Sequence, residues 1–98
     1  MNYRFIKSPS KATIDILNRR KGSKENIDFK NIDAVGLVQG KLIDIIYASD
    51  IAEKSAGVIV EEIKGSCPQN IIVIAIFGDT SSVEVALENI KRSEKGDF

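Results

Sequence analysis

The chain has 98 residues, of which 43% are hydrophobic and 29% are charged. This length and composition are typical of one folded domain with a single core. The 14 basic residues equal the 14 acidic residues, whereas proteins that bind nucleic acid normally carry a basic surplus to neutralise phosphates. We therefore disfavour DNA or RNA as a partner.

The sequence contains no histidine, which is the commonest general base and metal ligand. A Ser-His-Asp triad, a Cys-His pair and a histidine zinc site are thereby excluded within one chain. The single cysteine, Cys67, cannot form an intrachain disulfide, which fits a reducing cytosol. The longest apolar run, Ile71 to Phe77, is far shorter than the roughly 20 residues of a membrane-spanning helix. We expect a soluble, cytoplasmic protein with no membrane partner, no catalytic residue, no cofactor and no metal.

The first third of the chain predicts two strands and a polar connection. Within Tyr3 to Ile6, large residues flank the charged Arg4. Within Ala12 to Leu17, two isoleucines lie on one face and Thr13 and Asp15 on the other. This period of two predicts a short strand and then a half-buried strand. The polar stretch from Asn18 to Asn31 predicts a surface connection, in which Ile27 and Phe29 fold back onto the core.

The remainder of the chain predicts the order strand, helix, strand, strand, helix. The strands are Ala34–Val38, Val58–Ile63 and Ile71–Phe77, and the last is apolar on both faces. The first helix, Lys41–Ala56, is ended by Gly57. Together these elements predict an α/β (α+β) sandwich, with a mainly antiparallel sheet and helices packed on it.

Both predicted helices carry apolar stripes at three- and four-residue spacing. In the first helix the stripe expected to face the core is Leu42, Ile45, Ile46, Ser49, Ala52 and Ala56, and a second stripe beside it is Ile43, Tyr47 and Ile51. This is more apolar surface than one small core needs, which indicates a subunit interface, with a well-filled monomer core as the alternative. In the last helix Ser81 and Glu84 predict a capping box. Its buried face is predicted to be Val83, Ala86, Leu87 and Ile90.

The stretch from Lys64 to Pro68 joins two adjacent strands and is the most unusual loop. It is either an ordinary hairpin loop or a ligand or pore loop, because backbone N–H groups beside glycine can receive anions. A catalytic Cys67 is disfavoured, since no histidine can activate its thiol. The neighbours Glu61 and Glu62 face opposite sides of their strand, so they cannot form an acid-base pair.

From Asp33 to Ile90 the sequence resembles the bacterial microcompartment (BMC) shell domain. The resemblance lies in the strand Ala34–Val38, the helix ending Ser49–Val58 with its aspartate and lysine four residues apart, and the Gly-Asp passage within Ile76–Leu87. In typical members the last strand follows the last helix, whereas here the candidate for that strand stands at the N-terminus, at Ala12 to Leu17, preceded by the short stretch Tyr3 to Ser8. This order is similar to the circularly permuted shell proteins of ethanolamine, propanediol and choline microcompartments.

The resemblance implies an N-terminal extension at residues 1–10, whose strand contributes to a β-barrel over a pore, and a single permuted BMC domain at residues 11–98. It implies cyclic homohexamers that tile with other shell proteins around encapsulated enzymes, forming a bacterial microcompartment in the cytoplasm. By position, Lys54 would contact the neighbouring hexamer at the edge. Four residues would line a central pore for small polar metabolites: Lys64, Gly65, Ser66 and Cys67.

Two alternatives remain open at the level of sequence. The same elements suit a small ferredoxin-like regulatory or ligand-binding domain that acts at a subunit interface. A small enzyme that uses Cys67 or a carboxylate is the other alternative, against which the absence of histidine counts.

Overall fold

The computed structural model describes residues 1–23, 27, 32–55, 57–65 and 71–95. In chain order the elements are β1 (Asn2–Lys7), α1 (Lys11–Arg20), β2 (Ala34–Lys41), α2 (Leu42–Lys54), β3 (Val58–Ile63), β4 (Ile71–Gly78) and α3 (Thr80–Ser93). The strands form one antiparallel sheet in the order β1-β2-β4-β3. The predicted fold class, a mainly antiparallel sheet with helices packed on it, is confirmed.

Helices cover both faces of the sheet. On one face α2 and α3 form a core with the sheet residues Val38, Ile74 and Ile76. On the other face α1 forms a second core with Val35, Ala75 and Phe77. Side chains of β4 enter both cores, as its continuous apolar run predicted. Ile27 packs against the α1 core, as predicted, and Phe29 lies outside the described residues.

Residues 11–20 form a helix, so the strand predicted at Ala12–Leu17 is wrong. The Ser10 hydroxyl caps this helix by accepting from the backbone N–H of Thr13 at 3.2 Å. Ile14 and Leu17, three residues apart, are buried, whereas Ile16 is 45% exposed. Six residues are too few to distinguish a period of two from a period of 3.6, and the cap favours the helix.

Strand β1 confirms the strand predicted at Tyr3–Ile6 and completes the sheet. It pairs with β2 from Asn2 opposite Gln39 to Lys7 opposite Ala34. The amino group of Met1 lies 3.4 Å from the Glu94 carboxylate, just beyond the end of α3. A strand that adjoins the end of the last helix in space, yet precedes the other elements in sequence, is what circular permutation produces. The part of residues 1–10 in a pore barrel belongs to the assembly and stays a prediction.

The bounds of β2, β3, β4 and α2 can be compared with those predicted from the sequence. Strand β3 has its predicted bounds, and β2 and β4 continue beyond the predicted ends. Helix α2 is shorter than predicted, because Ser55 already has extended dihedrals; Ala56 lies outside the described residues. Gly57 has a φ of +82°, the left-handed conformation expected after a helix.

Helix α3 is capped by Asp79, so the predicted capping box of Ser81 and Glu84 is wrong. The Asp79 carboxylate accepts from the backbone N–H of Ser82 at 2.8 Å, and from the hydroxyls of Ser81 and Ser82. These bonds, the backbone bond first, hold the pKa of Asp79 below its ordinary value. An aspartate directly before the first helical residue reaches the third helical N–H, and this places Ser81 inside the helix. The predicted buried face of α3 is confirmed: Val83, Ala86, Leu87 and Ile90.

Candidate functional site

The β3–β4 hairpin, which the sequence singled out, is attached at its base to the end of α1. The backbone N–H of Lys64 donates to the carbonyl oxygen of Arg20 at 2.6 Å, and Arg20 Nη1 donates to the carbonyl oxygen of Lys64 at 3.4 Å. Lys64 and Gly65 are both exposed. Ser66 and Cys67 lie outside the described residues. The first two of the four predicted pore residues therefore stand at a fixed, solvent-facing position.

Lys54 is the last residue of α2 and points into solvent. Its Nζ lies 2.7 Å from Asp50 Oδ2, and its side chain is 76% exposed. The hydrogen bond from Lys54 to Asp50 and the charge of that carboxylate raise the pKa of Lys54 above its ordinary value. Such exposed pairs contribute little to the stability of a single chain. The amine is therefore accessible to a neighbouring molecule.

The structure separates Lys54 from Lys64. Lys54 precedes the start of β3 and Lys64 follows its end, and a strand of six residues is about 20 Å long. The domain is flat, with dimensions of 36 × 32 × 19 Å. The two predicted site residues thus lie beyond opposite ends of β3.

An exposed apolar surface lies on the N-terminal half of α2. It consists of Leu42 (47% exposed), Ile43 (76%), Ile46 (62%) and Tyr47 (46%), and we call it the α2 apolar surface. Because α2 follows β2 directly, and the last β2 residue pairs with the first β4 residue after the hairpin, this surface lies at the hairpin end of the domain.

The face of α2 that contacts the sheet is narrower than predicted. Ile45 and Ala52 are buried, as predicted, together with Ala48. The expectation that Leu42 and Ile46 face the core is wrong. The small side chains of Ala48 and Ala52 let the helix approach the sheet closely along one line, so the larger residues on the flanks project outward. The predicted surplus of apolar surface is present, but on partly different residues.

Sequence reasoning missed a basic cavity beside the hairpin base. An open concavity of about 450 Å³ is lined by Arg19, Arg20, Lys64 and Gly65. The residues that meet there are 44 positions apart in the chain, so no local pattern reports the cluster. Among the described residues, none of the ion pairs includes any of the three cations. A second concavity of about 230 Å³ is lined by Asn2, Arg4, Leu37, Gln39 and Val73.

Comparison with known proteins identifies the class to which this fold belongs. The BMC domain family matches residues 34–97, which run from β2 through α3. The chain therefore belongs to the BMC domain family. The two strands and the hairpin that carry the predicted pore residues all lie within the matched region.

Two solved structures narrow the class to a shell protein. The chain is 46% identical to the ligand-free GrpU microcompartment shell protein from Clostridiales bacterium 1_7_47FAA, with a TM-score of 0.76 over 97% of this chain and 93% of that chain. It is 34% identical to the ligand-free GrpU microcompartment shell protein from Pectobacterium wasabiae, with a TM-score of 0.74 over 92% of this chain and 99% of that chain. Curated protein sequences show no significant match. The protein is a microcompartment shell protein, and in the described part of the chain no helix is long and apolar enough to cross a membrane.

Proposed function

We propose that the chain assembles into cyclic homohexamers that tile into the shell and leave a central pore for small polar metabolites. The observation that carries this proposal is the placement of Lys64 and Lys54 beyond opposite ends of β3, in a flat domain 19 Å thick. With the hairpin end at a six-fold axis, the Lys54 end faces outward toward the next hexamer. A flat domain with one end at the axis of its own hexamer and the other end toward the next hexamer can form a continuous layer.

The α2 apolar surface supplies the contact between neighbouring chains in this arrangement. Subunits in a ring approach each other most closely near the axis, and Leu42, Ile43 and Ile46 lie at the hairpin end. Burying such side chains against a neighbour is favourable by about 1.5–3 kcal/mol each when complete. The exposed apolar residues are therefore explained by a partner that is a second copy of the chain.

Replacing two residues of this surface tests the contact. We expect the double variant Ile43→Lys, Ile46→Lys to lose hexamers, because charged side chains would be buried without partners. The measurement is the solution mass by sedimentation. Val85→Lys is the matched control, since Val85 is also exposed (54%) and helical but lies outside the surface. Hexamers that survive in the double variant would contradict the assignment.

The hairpin residues form the pore in this proposal. Lys64, Gly65, Ser66 and Cys67 line it, so that six copies of the loop present identical polar groups and backbone donors to the passing solute. Lys54 contacts the neighbouring hexamer at the edge. The assembly includes other shell proteins and encloses enzymes in the bacterial cytoplasm, while the chain itself acts without catalysis and without a cofactor. Ethanolamine, propanediol or choline breakdown stays a prediction for the enclosed pathway.

A further inference from the structure

We propose that the basic cavity at the base of the β3–β4 hairpin is a binding site for small phosphate-bearing anions, held by Arg19, Arg20 and Lys64. The site is formed within one chain. Its position beside a pore rests on the proposed function.

The backbone brings the three cations together before any ligand binds. Arg19 and Arg20 stand in the last turn of α1, and Lys64 follows the end of β3. The two hydrogen bonds between Arg20 and Lys64, at 2.6 and 3.4 Å, join these segments. The backbone N–H of Gly22 continues the contact by donating to the carbonyl oxygen of Glu62 at 2.9 Å. These bonds fix the backbone of the site before a ligand binds, which lowers the cost of ordering it.

None of the ion pairs among the described residues includes Arg19, Arg20 or Lys64. Two carboxylates of the adjoining elements have other partners: Asp15 pairs with Lys11 at 2.9 Å, and Glu61 accepts from the Ser23 hydroxyl at 3.0 Å. The carbonyl groups at the end of α1 attract the arginines, but they do not account for Lys64, which comes from the sheet. Because like charges repel, a ligand with more than one negative charge relieves the repulsion.

The type and spacing of the cations favour phosphate. Guanidinium groups bind phosphate oxygens in pairs of parallel hydrogen bonds, and a lysine adds a mobile point charge. The cavity is open at Gly65, where no heavy atom lies within 4 Å of the position that a Cβ would take. A volume of about 450 Å³ is within the range of small-molecule sites. Six such sites around an axis would concentrate phosphorylated solutes at the entrance of the pore.

Calorimetric titration of the assembled full-length protein with pyrophosphate tests the site. We expect saturable binding of one pyrophosphate per chain. Arg19→Gln and Lys64→Gln are each expected to weaken it by about tenfold, the loss of one charge-assisted contact. Lys11→Gln is the matched control, because it removes the same charge from the other end of α1, and it should bind as the unaltered protein does. Circular dichroism of each variant verifies the fold.

Absence of saturable binding would overturn the site, as would equal binding by the unaltered protein and both variants. Citrate binding as tight as pyrophosphate would overturn the assignment to phosphate. Sedimentation of the same samples keeps this proposal distinct from the pore. If the protein is a monomer that binds pyrophosphate, the anion site is supported and the proposed pore is contradicted. If the protein is a hexamer that does not bind pyrophosphate, the anion site is overturned and the proposed pore is unaffected.

Discussion

Single side chains of this domain divide into those that hold the fold and those that are available to a partner. Asp79 holds the first turn of α3 through its bonds to Ser81 and Ser82. Lys54 contributes little to its own chain, since its ion pair with Asp50 is exposed on both sides. A residue of the second kind can be removed without loss of the fold, and this makes its role in assembly measurable.

Replacing Lys54 by alanine is expected to stop tiling while leaving hexamers intact. The reason is that the amine reaches outward at the end of the domain opposite the hairpin. Electron microscopy of concentrated protein should show fewer sheets or tubes, and sedimentation should show an unchanged mass. Lys11→Ala is the control, because Lys11 is also an exposed lysine in an i,i+4 pair. Sheets of normal extent in Lys54→Ala, or their loss in Lys11→Ala, would refute the edge role.

The bounds and buried faces of individual helices and strands can be predicted from the sequence where the pattern of apolar residues extends over a long segment. Strand β3 has its predicted bounds, and the four buried residues of α3 are those that the spacing predicts. The pattern of residues 12–17 is too short to choose between helix and strand, and the cap by Ser10 decides for the helix. Which side of α2 is buried depends on how closely Ala48 and Ala52 let the helix approach the sheet. The spacing of apolar residues in the sequence does not give this distance.

The turn from α2 into β3 depends on Gly57. Its φ of +82° costs an L-residue about 1–2 kcal/mol, and an added Cβ would lie 2.8 Å from the Ser82 hydroxyl that bonds Asp79. We therefore expect Gly57→Ala to lower the free energy of unfolding by at least about 1 kcal/mol. Urea denaturation at a fixed protein concentration measures this, because assembly also stabilises the fold.

Gly65→Ala is the matched control for Gly57→Ala. A Cβ at Gly65 meets no heavy atom within 4 Å, so we expect a change within about 0.5 kcal/mol. Equal free energies of unfolding for the two variants would show that the stability of the fold does not require a glycine in the left-handed turn at residue 57.

At the scale of the described domain, β1 begins beside the end of α3. Met1 contacts Glu94 at 3.4 Å, so the N-terminal strand lies where an unpermuted chain would continue after its last helix. The family resemblance predicted a permuted order, but it assigned the missing strand to Ala12–Leu17, which is helix α1, and β1 takes that place instead. The basic cavity was not predictable, because it arises only when α1 and the end of β3 pair across 44 positions.

Restoring the unpermuted order should preserve the fold. The change joins Lys95 to Met1 by a Gly-Ser linker of about four residues and opens the chain in the connection between α1 and β2. Far-ultraviolet circular dichroism and thermal unfolding should match those of the natural order. The control uses the same linker but opens the chain between Lys41 and Leu42, where β2 runs directly into α2, and it should not fold. Equal behaviour of the two permutants would contradict the account of the termini.

The central claim is that the chain works as a ring of six copies. Sedimentation of the unaltered protein at several concentrations tests it most directly. The account predicts a stable species of six times the 10.8 kDa chain mass, with larger assemblies as the concentration rises. A monomer or dimer at every concentration would contradict the tile, and it would favour a small ligand-binding domain that acts at a subunit interface.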